Sequence, residues 1–289
     1  MVKIEDIKVI KKEDIAPLFP PLKDDINKGD LGRLVIVGGS KNYVGAPLLA
    51  EMGAAAMTVG NGTNVLAVPS FLLQPLYKRV VLSSLFALSD DSSAIVFKKS
   101  EFEELKSRTT AFAVGMGMGK GDALSITNYL LNDTALNFVL DADALSVAKV
   151  VSDFKNRAVL TPHILEFSRI TGYSKEEIIS NAPNLAIEFA KEKKCVLILK
   201  SHNSIVTDGE SVFVNKSGNA HLAKGGSGDV LSGILGGLIA RNVKNFDAAK
   251  AACYILGRCA ELSNINEYSH QATDTVSFIP KVLDEFTAI

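Results

Sequence analysis

Short apolar runs punctuate the chain without polar alternation: LVIV at 34–37, NVLAV at 64–68, AIVF at 94–97, AFAVG at 111–115, FVLD at 138–141, AVLT at 158–161 and VLILK at 196–200. Continuous apolarity fits strands covered on both faces, which is the habit of a parallel sheet. Helix signals lie between the runs. Ser174 and Glu177 form a capping box, and Leu185, Ala186, Phe189 and Ala190 keep helical spacing after Asn181 and Pro183. After the last run, SIVTDGESVFVN reads as a hairpin with Asp208 and Gly209 at its turn. Strand and helix alternation closed by a hairpin predicts an α/β domain: a three-layer, doubly wound, mostly parallel sheet flanked by helices. No linker rich in Pro, Gly or Ser divides the chain, and no internal repeat is visible. The expectation is one domain over residues 1–289, with 1–30 as a partly helical N-terminal extension.

At 289 residues the chain lies within reach of one large α/β domain, and 47% hydrophobic against 22% charged residues supports a sizeable core. The 31 Lys and Arg nearly balance the 32 Asp and Glu, so no overall field draws the protein to nucleic acid or anionic lipid. Cys195, Cys253 and Cys259 are too few for a disulfide framework and lack the short pairs of zinc sites, which points to a reducing compartment. The opening MVKIEDIKVIKKED interleaves acids with bases, unlike a secretory signal, so a cytoplasmic location is expected. Residues 52–77 carry no charge and are long enough to span a bilayer. Gly60, Asn61, Gly62, Thr63 and Asn64, with Pro69, Gln74 and Pro75 beyond them, would break such a helix. The stretch reads instead as helix, turn and buried strand, with no membrane partner.

Candidate chemistry concentrates at Gly225-Gly226-Ser227-Gly228-Asp229, which opens a run with Val230, Leu231, Ile234, Leu235, Leu238 and Ile239 at helical spacing. A glycine-rich turn at a helix N-terminus converges backbone N–H groups on one point and adds the helix dipole, making an anion site suited to a phosphoryl group in transfer. Asp229 at its edge can accept a proton from a substrate hydroxyl. To do so it must be ionised, which calls for backbone donors around it rather than an apolar pocket. The alternative is that Asp229 caps the helix and the glycines only make a tight turn.

Further segments appear with this turn in a fixed order: YVGAP at 43–47 within the stretch 28–69, GMGMG at 115–119, LDADAL at 140–145, TPH at 161–163 with Glu166, VLILK, and GNAHLAKGGSGD at 218–229. In order and approximate spacing they resemble the ADP- or ATP-dependent NAD(P)H-hydrate dehydratase family of the ribokinase-like superfamily, over about residues 28–262. That resemblance implies a ribokinase-like fold and a repair enzyme. Its substrate would be the hydrated, redox-dead form of NADH or NADPH, restored to the dinucleotide at the expense of ADP or ATP with Mg²⁺. It assigns Ala46, Gly117 and His163 to the hydrated dinucleotide, and Lys200, Ser201, His202, Asn203 and Ser204 with Gly228 to the adenine nucleotide. Gly226, Ser227 and Gly228 become the anion hole, and Asp229 the catalytic base on the substrate side. Family members often carry an epimerase domain at the N-terminus. The leader before Lys28 is too short for one, so any epimerase acting on the same substrate is expected as a separate chain; a homo-oligomer is compatible with the resemblance.

Asp141 and Asp143 follow a buried-looking strand and can hold Mg²⁺ or serve as turn and cap residues. Glu166, at a helix start, is the other candidate to organise a metal-bound water. Departures from the family pattern are Ile164 and Leu165 where proline and glycine are usual, and Ser201 where LKG has glycine. Ser227 also replaces threonine in the glycine-rich turn, and Ala220 replaces proline. The rival readings are a small-molecule kinase of the same superfamily, acting on a vitamin-like alcohol, and a nucleotide-binding regulator without turnover.

Overall fold

The structure, a computed structural model, describes residues 4–56, 61–119, 121–132 and 136–287. Its strands are β1 (Lys8–Val9), β2 (Arg33–Val37), β3 (Thr63–Pro69), β4 (Ser84–Leu88), β5 (Ala111–Val114), β6 (Asn137–Leu140), β7 (Ala158–Leu160), β8 (Val196–Leu199), β9 (Ser204–Thr207) and β10 (Val212–Asn215). They form one sheet in the order β1-β10-β9-β8-β7-β6-β5-β2-β3-β4. β2 to β8 pair in parallel, and only β9 runs against its neighbours.

Alternate residues of each central strand enter different cores. Leu34, Ile36, Leu66 and Val68 pack with the helices Gly45–Ala56, Ser227–Ala240 and Asn245–Leu262. Val35, Val37, Val65 and Ala67 pack on the other face with Lys99–Lys106, Ala123–Leu131, Ile164–Thr171 and Lys175–Lys193. Coverage of both faces is why the strands read as unbroken apolar runs. On the first face, the helices Gly45–Ala56 and Ser227–Ala240 touch backbone to backbone. A Cβ on Gly233 would lie 1.9 Å from the Ala50 carbonyl oxygen, and one on Gly53 2.6 Å from that of Val230. This contact sets both helix N-termini side by side at the C-terminal ends of the strands.

Two expectations need correction. The run at 94–97 is not a strand: Ile95 makes one isolated bridge to Asp90, and its burial comes from a loop folded around the Asp91 carboxylate, which accepts from the Ser93 and Ala94 amides. The strand beside β3 is β4, whose SLFAL sequence lies at the sheet edge and is only partly covered, so it carries no strong apolar signal. The last predicted run stops at Leu199, and Lys200 is joined to His163 by an isolated parallel bridge.

The hairpin β9–β10 turns at Asp208 and Gly209, where Gly209 takes φ +90°. Ser174 and Glu177 form the capping box of a helix that kinks at Asn181 before Pro183. Of the uncharged stretch, the helix ends at Ala56 and β3 begins at Thr63, while 57–60 lie outside the described residues. No described helix is long and apolar enough to cross a membrane. Within residues 4–30, β1 pairs with β10 and Ile15 is buried in the first core, so this segment packs on the domain. All three cysteines are free and buried, and burial pushes their thiols up to about 12, which leaves them unreactive.

Candidate active site

The chain leaves β2 toward β3 and β4, then returns to β5 on the other side of β2. The loops after β2 and β5 therefore diverge and open a crevice at the C-terminal ends of the strands. Gly117, at φ +68°, closes one side of it; a Cβ there would lie 2.6 Å from Tyr43 Cβ and 3.1 Å from Ala46 Cβ. Only glycine allows that approach. The Gly119 amide donates to Asp143 Oδ2 at 2.7 Å, so the segments at 43–47, 115–119 and 141–143 meet.

The opposite wall is the N-terminus of the helix Ser227–Ala240. Gly226 is its N-cap at φ +96°, and the amides of Gly228 and Asp229 have no hydrogen-bond partner among the described residues. The Ser227 amide is turned to the Lys224 carbonyl at 3.5 Å, and the buried Ser227 hydroxyl has no partner among the described residues. Unpaired donors at a helix N-terminus are the physical content of an anion hole. Asp229 is the third residue of the helix and makes no cap bond, which removes the capping alternative.

Behind this turn lies a charged cluster. Lys200 Nζ is 2.8 Å from Asp141 Oδ1 and 3.9 Å from Glu166 Oε2, and Ser232 Oγ donates to Asp141 Oδ2 at 2.8 Å. Burial alone would raise the Asp141 carboxyl, but the Lys200 charge and the bonds from Lys200, Ser232 and Thr161 hold it below the usual range. Burial would lower the Lys200 ammonium, but Asp141 and Glu166 keep it raised and charged. Asp229 lacks such compensation. Burial and the neighbouring Asp141 charge lift its carboxyl to about 7, with Lys200 opposing. The expectation that backbone donors keep Asp229 firmly ionised is thus corrected: the amides beside it point at the hole, and its own environment is desolvated and acidic.

His163 is the N-cap of the helix Ile164–Thr171. Its Nδ1 accepts from the Leu165 and Glu166 amides at 3.1 and 3.2 Å, while Glu166 Oε2 accepts from the His163 amide at 2.8 Å. An accepting Nδ1 puts the ring proton on Nε2, which lies 3.5 Å from Glu166 Oε1 on a side chain 47% exposed. On the far side of Lys200, Ser201, His202 and Ser204 line a cavity of about 490 Å³ with Asn219, Leu231 and Cys253. The cleft therefore has two arms meeting at Gly228, where an added Cβ would be 3.3 Å from Lys200 Nζ and 3.9 Å from Asp141 Oδ2.

Two arms joined at an anion hole, with a proton acceptor beside it, suit transfer of a phosphoryl group from a nucleotide to a second substrate. Residues 34–281 match the family model of NAD(P)H-hydrate dehydratases. The chain belongs to that family. An ADP-dependent (S)-NAD(P)H-hydrate dehydratase of Neisseria meningitidis is 32% identical, over 85% of this chain and 81% of its own. That of Cenarchaeum symbiosum is 28% identical, over 96% of this chain and 98% of its own. The chain spans about half the length of bifunctional NAD(P)H-hydrate repair enzymes that it also matches. A crystal structure of the ADP/ATP-dependent dehydratase from Bacillus subtilis, co-crystallised with ATP and Mg²⁺, has a TM-score of 0.84 at 24% identity and covers 97% of this chain and 99% of that one. The shared fold is ribokinase-like.

For a dehydratase-family member, the carboxylates do not make a closed metal cage. Lys200 stands among Asp141, Glu166 and Asp229, both Asp141 oxygens are taken, and no group of three ligands able to hold a metal occurs among the described residues. Asp143 spends Oδ2 on the Gly119 amide. These donors suit Mg²⁺ that arrives on nucleotide phosphates and keeps its waters. Sequence reasoning missed Ser232, the buried hydroxyl that orients Asp141. Its signal was a polar residue, one turn after Asp229, on an otherwise apolar helix.

Proposed function

We propose that this chain restores hydrated NADH or NADPH to the reduced dinucleotide at the expense of ADP or ATP. The observation that carries the reading is Asp229, raised to about 7 beside unpaired helix amides and the Lys200–Asp141 pair. A base tuned near neutrality takes a proton efficiently without being permanently protonated. The hydrate needs this help because hydroxide is a poor leaving group.

In the proposed path the ring hydroxyl gives its proton to Asp229 as its oxygen attacks the terminal phosphoryl of the nucleotide, whose shortened remainder departs. The Gly228 and Asp229 amides and the Ser227 hydroxyl take up charge on the transferring group, with Lys200 held toward it by Asp141. The ring nitrogen lone pair then expels phosphate with cleavage of the C–O bond, and loss of a proton from the neighbouring ring carbon completes the dihydropyridine. Mg²⁺ carried on the phosphates would neutralise their negative charge. Ala46, Gly117 and His163 hold the dinucleotide arm, and Ser201, His202, Asn203 and Ser204 the adenine arm; with Nδ1 taken by the Leu165 and Glu166 amides, His163 presents Nε2 to the substrate.

The test is incubation with hydrated NADH or NADPH and ADP or ATP. Free phosphate and recovered reduced-nicotinamide absorbance should appear one to one. A persistent phosphoester in the phosphorus NMR spectrum, or nucleotide turnover with an alcohol but with neither hydrate, would move the assignment to a small-molecule kinase.

A further inference from the structure

A second cavity, of about 520 Å³, opens at the other end of the sheet, where β2, β3 and β4 begin. Its wall includes Lys28, Arg33, Arg108, Thr63, Asn64 and Ser84. Arg33 starts β2, so the length of that strand, about 16 Å, separates the cavity from the catalytic crevice. Ligand sites of open α/β sheets lie at the opposite ends of the strands. The dehydratase chemistry gives this cavity no task.

Its construction nevertheless points to a ligand. No carboxylate lines it, and none of the three cations has an ion-pair partner among the described residues. The loop carrying Lys28 is pinned to the start of β3: the Gly62 amide donates to the carbonyls of Leu31 and Gly32, and a Cβ on Gly62 would lie 1.7 Å from the Lys28 oxygen. The Arg33 amide donates to Thr110 Oγ1 at 2.9 Å, which ties the start of β2 to the segment after Arg108. Arg33 pairs with Thr63, and Val65 two residues on pairs with Ser84, so the side chains of Arg33, Thr63 and Ser84 stand on one face of the sheet. A polyanion bound there would meet the charges of Arg33, Arg108 and Lys28 and accept from the Thr63 and Ser84 hydroxyls.

We propose that this cavity is a second, non-catalytic binding site for a phosphate-bearing small molecule. The proposal stands apart from the dehydratase reading. Inorganic pyrophosphate is the probe, titrated calorimetrically into the full chain with the catalytic cleft saturated by ADP. One saturable site per chain is expected. Arg108→Glu, at an exposed position that leaves the core intact, and Arg33→Ala should each weaken it roughly tenfold or more. Gly228→Val, which blocks the phosphoryl position of the catalytic cleft, and Lys175→Glu on a remote surface should leave it unchanged. No saturable binding, binding indifferent to Arg33 and Arg108, loss in Gly228→Val, or equal weakening in Lys175→Glu would overturn the proposal.

Discussion

Replacing Asp229 by asparagine keeps the size of the side chain and removes its charge, and the structure ties two opposite outcomes to that change. Turnover should fall by about 10² to 10⁴, the usual value of a positioned general base. Stability should rise. The carboxyl titrates at about 7 instead of 3.8 because folding places its charged form in a buried, acidic site. At 1.36 kcal/mol per pH unit this shift sets a ceiling of about 4 kcal/mol, and screening of a half-buried group reduces it to about 2 kcal/mol. A carboxyl raised on folding costs nothing below its unfolded value. The cost grows as pH rises toward about 7 and is constant above that. The variant should therefore exceed the wild type by about 2 kcal/mol near pH 8, or about 4 °C in melting midpoint, with the gain vanishing near pH 4. Denaturant titrations of both proteins at the two pH values, beside turnover with a hydrated dinucleotide, make the measurement. In the wild type, kcat/KM should climb with pH through about 7 as the base ionises. A variant no more stable than the wild type near pH 8, or one with undiminished turnover, would refute the reasoning.

Gly228→Val points a branched side chain at Lys200 Nζ, 3.3 Å from an added Cβ, and should cost about 10² or more in turnover while the melting midpoint hardly moves. Lys200→Met leaves the buried Asp141 charge unpaired and should destabilise the fold by about 3 kcal/mol, much of it recovered when Asp141→Asn is added, as denaturant titration of the pair would show. His163→Ala removes a helix cap, worth about 1 kcal/mol, as well as a substrate contact. His163→Asn keeps a capping side chain. It should hold the stability while raising KM for the hydrated dinucleotide more than KM for ADP or ATP.

Most of the sheet was legible because its information is local. Residues 34–37, 111–114 and 196–199 are apolar on both faces whatever they pair with, and the glycine-rich turn before Val230 marks a helix start by its own backbone needs. β4 was not legible. An edge strand half open to solvent need not be apolar, whereas Ile95 and Phe97 in the loop at 94–97 are apolar because they pack into the second core. The same division holds at the site. The sequence by itself determined the candidates: a flexible turn rich in donors, a carboxylate at its edge, and loops at strand ends. Tertiary structure decided how they act. It brought Lys200 to Asp141 across 59 positions and Ser232 to the same carboxylate across 91, and it left Asp229 without an equivalent partner. Proton affinity depends on the charges and water within a few ångströms of a group, and those distances are set by the pairing of remote strands and the contact of two glycine-bearing helices, neither of which any local pattern contains.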